Sequence, residues 1–211
     1  MRRRIVGSIV VAATMAIAGC GSSSRSPNPP PRAAKPSDAS TVANTYVGQQ
    51  TQKAEQRTDH DPRNPRAWAG LILARYADAS RDYDLSTDSY TATGKADLTA
   101  AARAWQRYLK LDQHPDPTLA RIMGEVYQDL GDYTQEANAW EIAADASPKV
   151  ASYWEYVALA AYLGKDTDLG NLAAAKALNL TPKAQRTALK AQFTEAKTEA
   201  TSTTTTATTT T

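Results

Sequence analysis

Few side chains in this sequence are placed to carry specific chemistry. Cys20 is the only cysteine. A thiol can act as a nucleophile, a metal ligand, half of a disulfide or a point of covalent attachment. With a single cysteine an internal disulfide is impossible. The two histidines, His60 and His114, lie beside proline-containing segments, and neither has a second His or Cys at ligand spacing. No zinc site is therefore expected. Asp59 and Asp61 flank His60, a pattern that reads as loop and helix-cap chemistry. Asp82, Asp84, Ser86 and Asp88 alternate like the oxygen ligands of a calcium loop. Thr87, however, stands where glycine must make the turn, and Thr93 where a bidentate glutamate should be. A solvated acidic loop is the better reading. Asn179-Leu180-Thr181 matches a glycosylation sequon at a helix end and is read as structural. No Gly-rich phosphate loop, nucleophile elbow or HExxH occurs in the sequence. The expectation is a non-enzyme with no metal and no cofactor.

The surroundings of Cys20 decide among the roles of its thiol. Arg2, Arg3 and Arg4 precede the apolar run Ile5 to Ile17. That run is 13 residues long, whereas a spanning helix needs about 20. A basic start, an apolar core and then small residues describe a secretory signal. Ala18-Gly19 directly before Cys20 resembles the lipobox of bacterial lipoproteins. The resemblance implies that residues 1–19 are a signal peptide removed after Gly19. It also implies that Cys20 takes a diacylglyceryl group on its sulfur and becomes the first residue of the mature chain. The protein would then sit in the bacterial cell envelope, outside the cytoplasm, held to a membrane by the lipid on Cys20. Two or more acyl chains suffice for stable anchoring, at about 0.8 kcal/mol per buried methylene.

Charge is consistent with such a location. Removing the three leader arginines leaves 21 basic against 22 acidic residues. The sequence pI near 8.6 thus describes the precursor and no affinity for nucleic acid. No block of like charges remains, so no nucleic-acid partner is expected. Residues 20–37 form a Pro/Ser-rich tether, with Gly21 to Pro36 reading GSSSRSPNPPPRAAKP. Residues 201–211, TSTTTTATTTT, hold no large apolar side chain and are expected to be disordered, with or without O-linked sugars.

Between these ends the pattern is helical. Alanine is abundant, and Trp, Leu and Tyr recur at helical spacing without a convincing period of two. Asp38 opens a first helix, roughly 39–57, with a thin apolar face. Asn64-Pro65, Asp116-Pro117 and Thr181-Pro182 each read as an N-cap followed by proline at the first helical position. Trp105 and Trp140 stand 35 apart, Ala120 and Trp154 stand 34 apart, and so do Pro148 and Pro182. Ala120, Met123, Gly124 and Tyr127, then Leu130-Gly131-Asp132-Tyr133, then Ala139, Trp140, Ala143 and Pro148 resemble the tetratricopeptide repeat, whose period is about 34. Trp154, Val157, Ala158, Leu163-Gly164, Ala177 and Pro182 resemble a further copy. Trp68, Leu71, Ala104, Trp105, Tyr108 and Leu111 resemble an enlarged first one. Glu136 replaces the usual small residue of the second helix, Ile72 and Ala158 replace the usual glycine, and Gln113 stands where proline is expected.

The resemblance implies an all-α, tetratricopeptide-like stack of antiparallel helix pairs over residues 38–200. Its repeats span about 65–113, 117–148 and 151–182, after an N-terminal helix and before a C-terminal capping helix near 182–200. Repeats of this kind bury their faces only by stacking. The excess length of the first repeat falls at 78–94, expected as a loop with a functional or partner-contacting role. In such repeats the first helices line a groove. Those positions hold Arg66, Leu73 and Tyr76 in the first copy, Arg121, Glu125 and Gln128 in the second, and Glu155, Leu159 and Tyr162 in the third. This partly polar, partly aromatic set suits a protein or peptide partner. Tyr76, Tyr153, Tyr156 and Tyr162 are alternatively a stacking or sugar-contacting face, with packing between repeats the plainer reading. The function expected is a lipid-anchored interaction scaffold. The alternatives are a structural component of an envelope complex and, further off, a small-molecule carrier or an enzyme.

Overall fold

The computed structural model describes residues 36–205, with side chains placed for 48–202. The expected signal peptide, Cys20 and the segment expected as a tether, up to Lys35, lie outside the described residues, as do 206–211. The fold is all-α. Its helices are α1 (Pro36–His60), α2 (Pro65–Arg81), α3 (Ala92–Leu109), α4 (Pro117–Leu130), α5 (Tyr133–Ala146), α6 (Ala151–Leu163), α7 (Thr167–Leu180) and α8 (Arg186–Thr205). Neighbouring pairs α2/α3, α4/α5 and α6/α7 pack against each other, α1 adds to α2, and α8 closes on α6.

Local chemistry explains where the helices begin. Asn64 Oδ1 accepts from Arg66 N at 3.0 Å, and Asp116 Oδ1 accepts from Thr118 N at 2.7 Å. Pro65 and Pro117 then occupy first-turn positions where a missing N–H costs nothing. Asp132 and Asp166 cap α5 and α7 in the same way. The third proline signal behaves differently. Pro182 precedes a 3-10 turn at Lys183–Gln185, and the α-helix begins only at Arg186. The α1 helix is longer at both ends than the 39–57 expected.

Two tryptophans show the repeat as structure. Trp68 Nε1 donates to the Pro62 carbonyl and Trp154 Nε1 to the Pro148 carbonyl, each at 3.0 Å and each six residues back. The connecting turns differ. Gly131 ends α4 with φ 73°, and Asp132 N returns to the Tyr127 carbonyl. After α6 the left-handed residue is Lys165, with φ 68°, and not Gly164, with φ −76°. Gly164 instead sits close to α5, where a Cβ would come within 3.3 Å of Thr134 N.

Residues 78–94 are more ordered than the sequence suggests. Asp78 to Arg81 complete α2, Tyr83–Asp84 (β1) pairs antiparallel with Ser89–Tyr90 (β2), and α3 starts at Ala92. The Tyr83 and Tyr90 rings meet edge to face at 4.9 Å, a cross-strand contact that favours the hairpin. Two carboxylates of the expected acidic loop, Asp84 and Asp88, serve the turn. Asp84 Oδ1 accepts from Ser86 N and Oγ, and Asp88 accepts from the Tyr83 hydroxyl. At the other end α8 continues past Ala200 into the threonine-rich segment. Hydroxyls of Thr198, Thr201 and Ser202 bond to carbonyls one turn back, which satisfies these polar side chains within a helix.

Among the described residues two large apolar clusters fill the interior, with a small third one of Ala137, Ala160 and Ala161. One joins α2, α3 and α4 through Ile72, Leu98, Trp105, Met123 and Val126. The other joins α5 to α8 through Trp140, Trp154, Val157, Tyr162 and Phe193. Neighbours on α5 divide between them, Ala139 facing the first and Trp140 the second. Trp140 fits because Gly124 lacks a side chain: a Cβ there would lie 2.5 Å from the indole.

Candidate binding face

Tyr76 on α2 and Arg121 and Glu125 on α4 converge. Arg121 and Glu125 are one helical turn apart, which puts both side chains on one face. Arg121 Nη1 donates to Glu125 Oε1 at 2.6 Å, and the Tyr76 hydroxyl donates to Glu125 Oε2 at 3.3 Å. Glu125 therefore joins two helices that are 49 residues apart in sequence at this contact. The pair is part-exposed, with side-chain exposures of 39% and 38%. Such a pair contributes only about 0.3–0.5 kcal/mol, and Arg before Glu is the poorer order along a helix. Stability alone therefore gives little reason for it.

The electrostatics extend this face to α6 and the hairpin. Burial first, and then the Glu125 charge and hydrogen bond, push the Tyr76 hydroxyl up. Burial, then Asp129 and Tyr76, push Tyr90 to about 12. Burial, then Glu155 and Glu125, push Tyr156 up as well. All three phenols thus stay protonated in ordinary conditions and act as donors. Burial also raises the Glu155 carboxyl, and no ion pair to it occurs among the described residues. Tyr156 is 39% exposed and stacks on Trp140 at 4.4 Å.

The other sequence-selected residues scatter. Gln128 and Leu73 are exposed, Leu73 at 47%. Leu159 is half-buried against the second cluster. Tyr162 does not face solvent beside the others: it is buried, donates to Asn171 Oδ1 at 3.0 Å and meets Phe193. The physical reason is that α8 covers that side of α6. Arg66 lies elsewhere too, at the turn end of α1/α2. Tyr153 and Tyr156 both pack on Trp140 and Tyr162 on Phe193, and of these three only Tyr156 is also exposed.

A scan against protein-family models finds no match, and a search of curated proteins finds no relative. The geometry therefore stands on its own. Chemically, the face offers phenolic donors, an aromatic surface and carboxylate acceptors, with one guanidinium already engaged. Among the described residues no three His, Cys, Asp or Glu side chains are close enough to hold a metal ion. No described helix is long and apolar enough to cross a membrane. Tyr90, Asp129 and Tyr156 were not selected from sequence as groove residues. Tyr90 belonged to the segment read as a loop. Tyr156 falls one position after Glu155 in the repeat register, and only its offset around α6 brings it to this face.

Proposed function

We propose that this chain is a lipid-anchored, tetratricopeptide-like scaffold of the bacterial envelope that holds a protein or peptide partner on the face formed by α2, α4 and α6. The observation that carries the reading is the junction at Glu125, where Tyr76 and Arg121 meet on a part-exposed surface. Two further features support it. Glu155 is a half-buried carboxylate with no cation paired to it among the described residues. Tyr156 adds an exposed aromatic surface beside it. Such a face suits a segment that presents a basic side chain, and backbone carbonyls for the Tyr90 and Tyr156 phenols. The anchor rests on the lipobox-like Ala18-Gly19-Cys20.

Crosslinking in intact cells tests both parts. A photoreactive residue at Gln128 should capture a defined partner, and Glu125→Arg or Glu155→Lys should abolish that capture while circular dichroism stays helical. Capture that survives both substitutions removes the face from the proposal. Cys20→Ala should release the signal-cleaved chain from the membrane fraction, and retention there overturns the anchor.

A further inference from the structure

A second surface lies away from this face, and its chemistry is of the opposite sign. At the turn that joins α1 to α2 an open cavity of about 550 Å³ is lined by Lys53, Arg57, His60, Asp61, Asn64 and Arg66 among others. Lys53, Arg57 and His60 fall at helical spacing on one stripe of α1, adjoining the buried stripe Thr51, Ala54 and Thr58. Arg66 reaches the same cavity from the first turn of α2. Three fixed cations thus face one space with a single carboxylate, Asp61. Among the described residues none of Lys53, Arg57 and Arg66 makes an ion pair. Elsewhere on α1 and α2 the cations do: Arg75 pairs with Glu55 and Asp97, and Arg81 with Asp78.

The turn that gathers these groups is held firmly. Asp61 N bonds to the Arg57 carbonyl at 3.0 Å, Asn64 N to the Asp61 carbonyl at 3.2 Å, and Trp68 Nε1 to the Pro62 carbonyl at 3.0 Å. Asn64 takes the first amides of α2, its Oδ1 from Arg66 N and its carbonyl from Ala67 N, so the positive charge of the cavity comes from the side chains. Like charges gathered on a fixed turn repel one another, and a bound anion removes that cost.

We propose that this cavity is a binding site for a phosphate-bearing ligand. Three cations against one carboxylate leave two positive charges over, which matches a phosphate dianion better than a single carboxylate. Arg57 and Arg66 bring guanidinium forks from two helices, suited to phosphate oxygens, and Lys53 adds a point charge. The cavity is open and has room beside the phosphate for the rest of a larger molecule, either soluble or a lipid headgroup. This inference is independent of the peptide face, since none of its residues touches Glu125 or Tyr156.

The test uses the full chain with Cys20→Ser, so that no acyl chain attaches it to lipid. Nuclear magnetic resonance follows the Arg66 and Ala67 amides and the Arg57 side chain during titration with inorganic phosphate, with acetate and chloride at matched ionic strength as controls. In parallel, vesicles of phosphatidylglycerol are compared with vesicles of phosphatidylcholine by co-sedimentation. Saturable shifts with phosphate, or sedimentation with phosphatidylglycerol alone, are expected. Each should weaken at least about tenfold in Lys53→Gln/Arg57→Gln/Arg66→Gln. The first result with no vesicle binding identifies a soluble ligand, and vesicle binding identifies a headgroup. Equal shifts with acetate or chloride, no response in either arm, or a response unchanged in the triple variant overturns the site. The surface charges removed lie outside the apolar clusters, so an unchanged helical spectrum confirms that the variant is folded.

Discussion

The two ends of the stack are joined to its middle by different forces. At the first end α1 is held to α2 largely by polar groups. Arg75 on α2 bridges Glu55 on α1 and Asp97 on α3, the latter at 2.7 Å. Burial opposes the Arg75 charge, but the hydrogen bonds and charges of Asp97 and Glu55 outweigh it and hold the guanidinium above its ordinary value. Asp78 accepts from Thr51 Oγ1 at 2.5 Å in a buried contact. At the last end α8 is held by Leu189, Phe193 and Ala196 against Tyr162 and the alanines of α7. A net protein hydrogen bond contributes about 0.5–1.5 kcal/mol, and a fully buried Phe about 1.5–3 kcal/mol. The difference teaches that the capping helix is part of the apolar core, whereas α1 is expected to detach first.

The largest effect should come at the apolar end. Phe193→Ala is expected to destabilise the domain by about 3–5 kcal/mol, measured by urea unfolding. A loss below 1 kcal/mol would show that α8 is only loosely attached and would erase the contrast.

Next comes the one acid that breaks the apolar pattern. Glu136 is buried at 3% exposure, and its Oε2 has no hydrogen-bond partner. Burial raises its carboxyl to about 8, with Trp140 lowering and Asp129 raising it further. The folded protein therefore holds this proton more tightly than the unfolded chain, whose value is 4.5. Its contribution to stability is fully present below the unfolded value and is lost as pH rises through about 8. Glu136→Gln should flatten that decline and stabilise the protein by about 2–4 kcal/mol at alkaline pH. Thermal melts between pH 4 and pH 9 read this directly, and parallel curves for the two proteins would refute it.

At the polar end Asp78→Ala strands the buried Thr51 hydroxyl and should cost about 1–3 kcal/mol. Hydrogen exchange should quicken in α1 while α6 to α8 keep their protection. Uniform quickening would mean that both ends unfold together. The smallest effect is that of salt. Raising ionic strength to 1 M shrinks the screening length to about 3 Å and should weaken the part-exposed Arg75 network by no more than about 1 kcal/mol. Arg75→Met should remove that salt dependence. A melting temperature equally salt-sensitive in Phe193→Ala and Arg75→Met would locate the dependence elsewhere.

Much of this was legible in the residues. Asn64-Pro65 and Asp116-Pro117 announce their helices because a cap and a ring-locked φ act locally. Trp105 and Trp140 mark the repeat because each must fill the same kind of gap between paired helices. The hairpin at 83–90 was not legible, since strands of two residues give no periodicity and are held by the Tyr83–Tyr90 contact and by side-chain bonds within the turn. Leu163-Gly164 marks the turn after α6 in the repeat pattern. The left-handed residue there is Lys165, while Gly164 lies close to Thr134 of α5, and no single-helix pattern contains that neighbour. Of the candidate face, Tyr76, Arg121 and Glu125 came from repeat register, and Tyr162 failed that register because α8 lies over it.

The sequence by itself determined that this is an all-α chain of paired helices, where the helices opened by Asn64-Pro65 and Asp116-Pro117 begin, and that one cysteine follows a short apolar run. Those properties depend on neighbours within a turn or two. Only the tertiary structure decided which side chains share a surface. It joined Tyr76 to Glu125 across 49 residues, moved Arg66 to the cavity beside Lys53 and Arg57, and buried Tyr162 and Glu136. Helix rotation and the covering of one helix by the next set those outcomes, and both arise from packing between segments that are far apart in the chain.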